Sequence, residues 1–278
     1  MIPGTLFVVA TPLGNLGDLT PRAADVLRSV PVVAAEDTRR TRGLLTHLGA
    51  SPRLVSFHAH SDGRRLESLL EILADGRDVA LVSDAGTPVV SDPGSDLVGA
   101  VRRAGGNVVP IPGVSAVATA LSVCGFTGDR YLFLGFVPRK GAERQRLLVR
   151  AAQEEWPVVF FEAPTRLAGL LEDLAEVAGP DRKVAVGREL TKIHEEIRTG
   201  TVAELLRHFE AVEPRGELTI VLEGTGTPGA APDRTAEAGE AAVSLLAQGM
   251  TRRDVIEQLI SRFGLPRNDA YRLVTELT

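Results

Sequence analysis

The residues best suited to chemistry lie in a loop at 83–94, which carries two carboxylates among glycines and prolines. An apolar run at 79–82 predicts a buried strand before the loop, and apolar residues from 97 to 101 predict a helix after it. Open α/β sheets bind ligands at the carboxyl ends of their strands. The pattern therefore favours a binding loop that includes Asp84 and Asp92, although an ordinary turn between strand and helix has a similar composition.

Two further loops follow strand-like runs in the same way, which strengthens the ligand-binding interpretation. Residues 11–18 lie between an apolar run and a helix start at Thr20 and Pro21. Residues 111–116 open a helix of small side chains. The first loop carries neither the glycine fingerprint of dinucleotide-binding folds nor the lysine-containing loop that cradles phosphates. The commonest nucleotide ligands are therefore disfavoured.

Polar clusters follow the second and third predicted strands. A helix N-terminus explains Glu36 and Asp37 but not the adjacent Arg39, whose guanidinium suits a phosphate backbone. His58 and His60 are two positions apart, and no third metal ligand is evident near them. We therefore predict no metal site and interpret the histidines as polar loop residues able to contact a substrate.

A third cluster follows the strand predicted at 183–187. Lys192 with Glu189 or Glu195 would form an acid/base pair able to activate a hydroxyl. A solvated turn with surface ion pairs explains the spacing equally well. A basic run that begins at Arg139 and Lys140 is the best local footprint for nucleic acid, because the chain as a whole has a formal net charge of −5.

The order of elements predicts two α/β blocks. Strand and helix patterns alternate to about residue 125, as in a mainly parallel sheet, and one strand directly follows another in the second block, as in a mixed sheet. The predicted divisions are 1–124, 125–223, a linker at 224–236 and a helical tail at 237–278. Strands are predicted at 6–10, 32–35, 54–56, 79–82, 108–111, 131–135, 158–162, 183–187, 195–199 and 218–223. Helices are predicted at 21–29, 39–48, 64–74, 95–104, 115–123, 142–153, 166–178 and 202–209, and in the tail at 241–248, at 251–262 and from 267.

Composition limits the classes of protein. One cysteine, Cys124, excludes a disulfide framework and a cysteine zinc site, and its apolar helix predicts that it is buried. No apolar run approaches the length of a membrane span, and the N-terminus lacks the basic region of a signal peptide. The expected compartment is the cytoplasm. The tail is compatible with a helix-turn-helix, and a dimerisation or packing module explains it equally well.

Four segments together carry a resemblance to a known family: 9–16, 34–39, 81–88 and 188–192. They resemble the ribosomal RNA small subunit methyltransferase I family of the tetrapyrrole methylase superfamily, over about residues 5–224. Pro12 interrupts a loop that is usually richer in glycine, a departure that fits the ribosomal RNA branch. The resemblance implies two α/β domains with a cofactor cleft between them, and a homodimer.

The resemblance also implies a reaction. A methyl group would pass from S-adenosyl-L-methionine to the ribose 2′-hydroxyl of a cytidine in the decoding region of 16S ribosomal RNA, in the small ribosomal subunit. We hypothesise that Lys192 or Glu189 activates or orients this hydroxyl, and that Asp92 is a turn or helix-start residue. The implied cofactor positions are Leu13, Asp84, Thr87, Ser115, Ala116, Phe161, Leu190 and Thr219. The expected substrate-facing residues are Glu36, Asp37, Arg39, His58, Arg139 and Lys140.

Two alternatives stay open at this point. A methylase of the same fold could act on a tetrapyrrole carbon, because arginines also attract a carboxylate-rich macrocycle. A protein without catalytic activity could bind nucleic acid through the helical tail; in that case deletion of the tail would abolish the main activity.

Overall fold

The first sheet is wholly parallel. The computed structural model describes residues 2–58, 63–212, 214–226, 235–263 and 267–277. Within them, the first sheet has the order β3-β2-β4-β1-β5, and β2 and β4 are buried along their whole length, as expected for strands covered on both faces. All five carboxyl ends therefore point to one edge. The strands are β1 (Thr5–Val9), β2 (Val32–Ala35), β3 (Arg53–Ser56), β4 (Val79–Val82) and β5 (Asn107–Ile111).

Helices cover this sheet on both faces. Thr20 caps the first of them by accepting a hydrogen bond from the amide of Ala23, and Pro21 occupies its first turn, as predicted. Asp37 caps the second. The helices are α1 (Pro21–Ser29), α2 (Thr38–His47), α3 (Gly63–Ala74), α4 (Ser95–Arg103) and α5 (Ala116–Val123).

The second sheet is mixed, as predicted. Its order is β6-β7-β10-β8-β9; β6 and β7 are parallel, whereas β10 runs antiparallel to both of its neighbours and β8 and β9 form an antiparallel pair. The strands are β6 (Leu132–Phe136), β7 (Val158–Glu162), β8 (Lys183–Arg188), β9 (Glu196–Thr201) and β10 (Leu218–Leu222). The helices are α6 (Ala142–Gln153), α7 (Leu167–Ala178) and α8 (Val202–Ala211).

An apolar cluster joins the two sheets. Leu13 of the first loop and Val117 and Cys124 of the α5 region pack with residues of the second sheet, including Val159 and Val221. Cys124 is buried, as predicted. Burial of this shared cluster removes apolar surface of both blocks from water, so it holds the loops of the first sheet against the second.

The C-terminal helices form a separate compact unit. Contacts divide the chain into one unit containing both sheets, up to Ala152 and over Trp156–Gly224, and a second over Gln153–Glu155 and Thr225–Thr278. In the second unit, Ala242, Val255 and Leu259 are buried within a small core of their own. Its helices are α9 (Thr235–Ala247), α10 (Arg252–Phe263) and α11 (Arg267–Glu276).

The predicted fold class is confirmed: two α/β sheets with a helical tail. Four boundaries were wrong by more than one residue or in kind. Helix α8 ends at Ala211, two residues beyond the predicted end at 209. Helix α9 begins at Thr235, inside the predicted linker, because its alanine-rich start favours a helix. Strand β9 extends to Thr201, two residues beyond the prediction. A short 3-10 turn, Pro164–Arg166, precedes α7 where the helix was predicted to begin. The limits between the predicted domains stay a prediction. No helix of the described residues is long and apolar enough to cross a membrane.

Candidate active site

Hydrogen bonds join the three predicted binding loops. The amide of Thr11 donates to the carbonyl of Gly86, and the amide of Gly86 donates to the carbonyl of Thr11, both at 2.9 Å. Thr87 donates from its hydroxyl to the carbonyl of Val114 at 3.2 Å. The backbone of Gly86 has φ +78, which favours glycine, and a side-chain carbon there would lie 3.3 Å from Leu13. The loops after β1, β4 and β5 therefore form one continuous wall.

A cleft of about 450 Å³ lies between this wall and the second sheet. The structure brings all but one of the predicted cofactor residues to its lining. The exception is Leu190, which is buried beside Leu13 in the apolar cluster that joins the sheets. Leu190 therefore supports the wall and does not line the cleft. Among the lining residues are Leu13, Asp84, Thr87, Ser115, Ala116, Phe161 and Thr219.

Five acidic residues line the cleft: Glu36, Asp84, Asp92, Glu162 and Glu217. The side chain of Glu162 is buried and paired with arginines, so the other four carboxylates are the ones available to a ligand. Burial, together with the negative charge of Asp84, raises the pKa of Glu36 above its ordinary value. Burial also raises the pKa of Asp92 to about 6; the neighbouring carboxylates add to this, and a hydrogen bond with Ser83 opposes it. Asp92 can therefore change protonation state near neutral pH.

Asp92 was expected to be a turn or helix-start residue, and the helix-start role was wrong. The cap of α4 is Gly94, and no side chain makes a capping hydrogen bond there. The loop backbone instead turns Asp92 towards the cleft through two residues with positive φ, Val89 at 76° and Ser91 at 64°. Positive φ is rare for a β-branched residue, and such strain is characteristic of functional loops.

The two arginines at the start of α2 differ. Asp37 caps the helix, and its carboxylate accepts hydrogen bonds from the side chain of Arg39, which lower the pKa of Asp37 to about 2. The Arg39 side chain is 89% exposed. Arg40 lines the cleft, 3.6 Å from Asp84 and 3.8 Å from Glu217. The sequence indicated that Arg39 and Arg40 both suit a phosphate backbone, but only Arg39 was expected to face the substrate. Adjacent residues of a helix point in different directions, and it is Arg40 that lines the cleft.

Of the predicted histidines, His58 is exposed and its charge acts on Glu36. His60 lies outside the described residues. No group of three histidine, cysteine, aspartate or glutamate side chains with metal-binding geometry occurs in the part of the chain that the structure describes.

Lys192 and Glu189 form the predicted pair. The ammonium of Lys192 lies 2.8 Å from Glu189 and 3.2 Å from Glu217. Partial burial disfavours both charges, but their mutual hydrogen bond prevails, so the pKa of Lys192 is raised and that of Glu189 is lowered. The alternative partner, Glu195, accepts a hydrogen bond from the backbone amide of Thr191 instead.

The turn that carries this pair is also strained and lies against the first loop. Glu189 has φ 51 and Thr191 has φ 67. The hydroxyl of Thr191 accepts a hydrogen bond from the amide of Asn15. A side-chain carbon on Gly14 would lie 2.2 Å from the stem of Lys192, so this lysine crosses the first loop. The pair stands beside the cleft and is not part of its lining.

Arg139 and Lys140 are exposed in the connection between β6 and α6. A buried carboxylate anchors this connection: Glu162 pairs with Arg144 and Arg166. These arginines in turn donate hydrogen bonds to the carbonyls of Pro138 and Val137. These hydrogen bonds fix the backbone just before Arg139 and Lys140, while the side chains of Arg139 and Lys140 are exposed to solvent.

The two sheets and the cleft define a methylase of the tetrapyrrole type. The family model Tetrapyrrole (Corrin/Porphyrin) Methylases matches residues 5–206. Uroporphyrin-III-C-methyltransferase from Thermus thermophilus is 26% identical with a TM-score of 0.55, and the match covers 78% of this chain and 94% of that one. A uroporphyrin-III C-methyl transferase from Thermus thermophilus complexed with S-adenyl homocysteine is 18% identical with a TM-score of 0.59, and the match covers 79% of this chain and 97% of that one.

A relative from Synechocystis shows to which family within the tetrapyrrole methylases the chain belongs. Its ribosomal RNA small subunit methyltransferase I is 44% identical over 275 residues, which is 99% of this chain and 98% of the relative. The chain belongs to the ribosomal RNA small subunit methyltransferase I family, within the tetrapyrrole methylases. The resemblance predicted from the four sequence segments is confirmed.

Proposed function

We propose that the protein uses S-adenosyl-L-methionine to methylate the ribose 2′-hydroxyl of a cytidine in the decoding region of 16S ribosomal RNA. The observation that carries the proposal is the cleft: three loops of a parallel sheet and the second sheet enclose it, in a chain that is similar over its whole length to a small-subunit ribosomal RNA methyltransferase. That the methyl group goes to a ribose 2′-hydroxyl, and that the nucleotide is a cytidine, is part of the proposal.

The lining of the cleft fits this cofactor. Its volume of about 450 Å³ lies within the range of small-molecule sites. Apolar groups such as Leu13 and Phe161 suit the adenosine, and the carboxylates suit a cation that has no phosphates. Ser115 and Ala116 place the amino end of α5 at the cleft, where backbone amides suit a carboxylate. The residues proposed to hold the cofactor are Leu13, Asp84, Thr87, Ser115, Ala116, Phe161 and Thr219, with Leu190 behind Leu13.

When bound, the cofactor supplies a methyl group on a positively charged sulfur. The chain's own residues would align the ribose hydroxyl with this methyl group and take up the proton that the hydroxyl loses on a carboxylate of the cleft. Asp92 is suited to accept this proton, because its pKa of about 6 lies close to neutral pH. Lys192 is protonated, so its role is to orient the hydroxyl oxygen or stabilise its developing charge, and Glu189 holds Lys192 in place.

Basic residues outside the cleft are proposed to bind the RNA. Arg139 and Lys140 stand on an anchored loop, and Arg39 and His58 lie exposed near the first sheet's ligand edge, close to Glu36 and Asp37. Such contacts hold the RNA through its phosphates, so binding should weaken steeply as salt is raised.

The proposal is tested by incubating the protein with methyl-labelled cofactor and unmodified small ribosomal subunits, and mapping the label by mass spectrometry of RNA fragments. We expect one ribose-methylated cytidine in the decoding region. A methyl group on a base would overturn the ribose assignment. Label in a precorrin mixture and none in RNA would favour the tetrapyrrole alternative.

The proposed state is a homodimer in the cytoplasm. Strand β9 lies at an edge of the second sheet, and nearby Ile193 is 93% exposed, which suits a surface covered by another subunit. Light scattering of the purified protein tests the dimer, and a monomer at micromolar concentration would contradict it.

A further inference from the structure

A second, smaller cavity adjoins the cofactor cleft. It measures about 230 Å³ and lies between the loop after β1 and helix α2. The two cavities share Leu13, Arg40 and Asp84, so a single layer of side chains separates them. The remaining lining comes from Thr11, Pro12, Gly14, Leu16, Thr41, Gly43, Leu44 and Ser83.

Gly43 marks the helix wall of this cavity. It stands inside α2 with ordinary helical backbone, where glycine is unfavourable relative to alanine. A side-chain carbon at Gly43 would meet no atom within 4 Å, so packing within the protein does not explain the glycine. Glycine at such a position leaves room for close approach of a ligand.

Arg40 supplies an available cation at the shared wall. Its distances of 3.6 Å to Asp84 and 3.8 Å to Glu217 are too long for hydrogen bonds. The side chain of Arg40 makes no hydrogen bond to another residue in the described ranges, whereas the side chain of the neighbouring Arg39 is hydrogen-bonded to Asp37. A guanidinium carries five N–H donors in a geometry that matches phosphate. Arg40 is therefore positioned to bind an anion at the boundary between the cavities.

We infer that this smaller cavity receives the target nucleoside and that Arg40 binds its adjoining phosphate, an inference that rests on the proposed ribose methylation. The cavity lies below the range of about 300–1,000 Å³ usual for small-molecule sites, so it suits a single nucleoside better than a macrocycle. Pro12, Leu16 and Leu44 offer apolar surface to a base that has left its stack. The shared wall would place the ribose next to the cofactor cleft.

The test changes Gly43, which lines the smaller cavity only, and Arg40, which lines both cavities. Gly43→Ala and Gly43→Leu project graded side chains into open space, and Arg40→Ala removes the cation. Matched controls are Gly169→Leu, at another exposed helical glycine with no atom within 4 Å of its added carbon, and Arg207→Ala, at an exposed arginine of α8. For each variant, calorimetry gives the cofactor Kd, methyl transfer to small ribosomal subunits gives KM and kcat, and circular dichroism verifies folding.

We expect Gly43→Leu to raise the KM for subunits about tenfold or more, with Gly43→Ala intermediate and the cofactor Kd unchanged. Arg40→Ala should raise the KM for subunits. It should also make log affinity fall less steeply with log salt concentration, by the amount expected for the loss of about one phosphate contact. Both controls should match the wild type.

A folded Gly43→Leu variant with wild-type KM would overturn the inference and leave the proposed function intact. A weaker cofactor Kd in Gly43→Leu would assign the cavity to the cofactor instead. If the wild type binds cofactor but methylates no ribose of the subunit, the proposed function itself fails, and the inference fails with it.

Discussion

The loop at 83–94 and the turn at 188–192 both contain non-glycine residues with positive φ, but the pKa values of their carboxyl groups are shifted in opposite directions. Both hold non-glycine residues at positive φ, Val89 and Ser91 in the loop and Glu189 and Thr191 in the turn. In the loop, burial raises the pKa of Asp92 to about 6. In the turn, a direct partner lowers the pKa of Glu189 despite partial burial.

The difference shows how neighbours decide what one residue type can do. A carboxylate without a cationic partner becomes able to exchange a proton near neutral pH, whereas a paired carboxylate stays charged and fixes the geometry of its partner. We therefore divide the proposed roles: the loop exchanges the proton, and the turn holds a constant positive charge beside the cleft. The predictions below test this division.

The largest effect is expected in the turn. Lys192→Ala should lower kcat by about 10²–10⁴-fold, because it removes a positioned charge next to the reacting oxygen. Glu189→Ala should lower kcat less, since Lys192 keeps Glu217 as a partner. Steady-state kinetics with small ribosomal subunits measures both, with Lys183→Ala, an exposed lysine of β8, as control. If both variants keep near-normal turnover with unchanged cofactor affinity, the turn has no catalytic role.

A smaller kinetic effect with a distinct pH signature is expected in the loop. Below pH 6 the carboxylate of Asp92 is protonated and cannot accept a proton, so kcat of the wild type should fall on the acid side with an apparent pKa of about 6. Asp92→Asn should lower kcat at pH 7.5 by about tenfold to a hundredfold and remove this limb. A pH profile from 5 to 9 measures both effects. An unchanged acid limb in Asp92→Asn would assign the proton to another group.

Asp92→Asn, which should lower kcat, is expected to raise the stability of the folded protein at neutral pH. The folded pKa of Asp92 lies above its ordinary value of 3.8, so its stabilising contribution is complete below pH 3.8 and is lost as pH rises through 6. Asp92→Asn should therefore raise the free energy of unfolding at pH 7.5 by about 1 kcal/mol, after allowance for partial exposure. The difference should vanish near pH 4, as measured by urea unfolding. A destabilised variant at pH 7.5 would mean that the hydrogen bond with Ser83 outweighs burial.

The smallest effect is expected from the tail. Deletion of residues 237–278 should leave the cofactor Kd within about twofold of the wild type, because loop and turn both belong to the unit that contains the two sheets. Calorimetry measures this. Loss of cofactor binding in a folded truncated protein would contradict the assignment of the cleft, whereas loss of RNA binding alone would assign the tail to substrate recognition.

Much of the candidate site was predictable because binding loops follow buried strands in a regular order. The three loops were found from the apolar runs that precede them, and Asp84 and Thr87 line the cleft. That they hold the cofactor stays a proposal. Arg40 and Asp92 were noted in the sequence, but neither was included among the expected site residues, although both line the cleft. Both depend on the direction in which a side chain points, and Asp92 points into the cleft only because Val89 and Ser91 adopt positive φ, which their residue types do not predict.

The sequence by itself determined the two α/β blocks, the order of their elements and the family. These depend on hydrophobic periodicity and on local motifs, which involve residues close together in the sequence. Only the tertiary structure decided which charges are paired and which are buried. Lys192 meets Glu217 across 25 positions, and Asp92 shares the cleft with Glu36 and Glu217. The first contact arises when β8 pairs with β10, and the second when the two sheets pack together. Burial and pairing then set opposite pKa shifts for the same residue type.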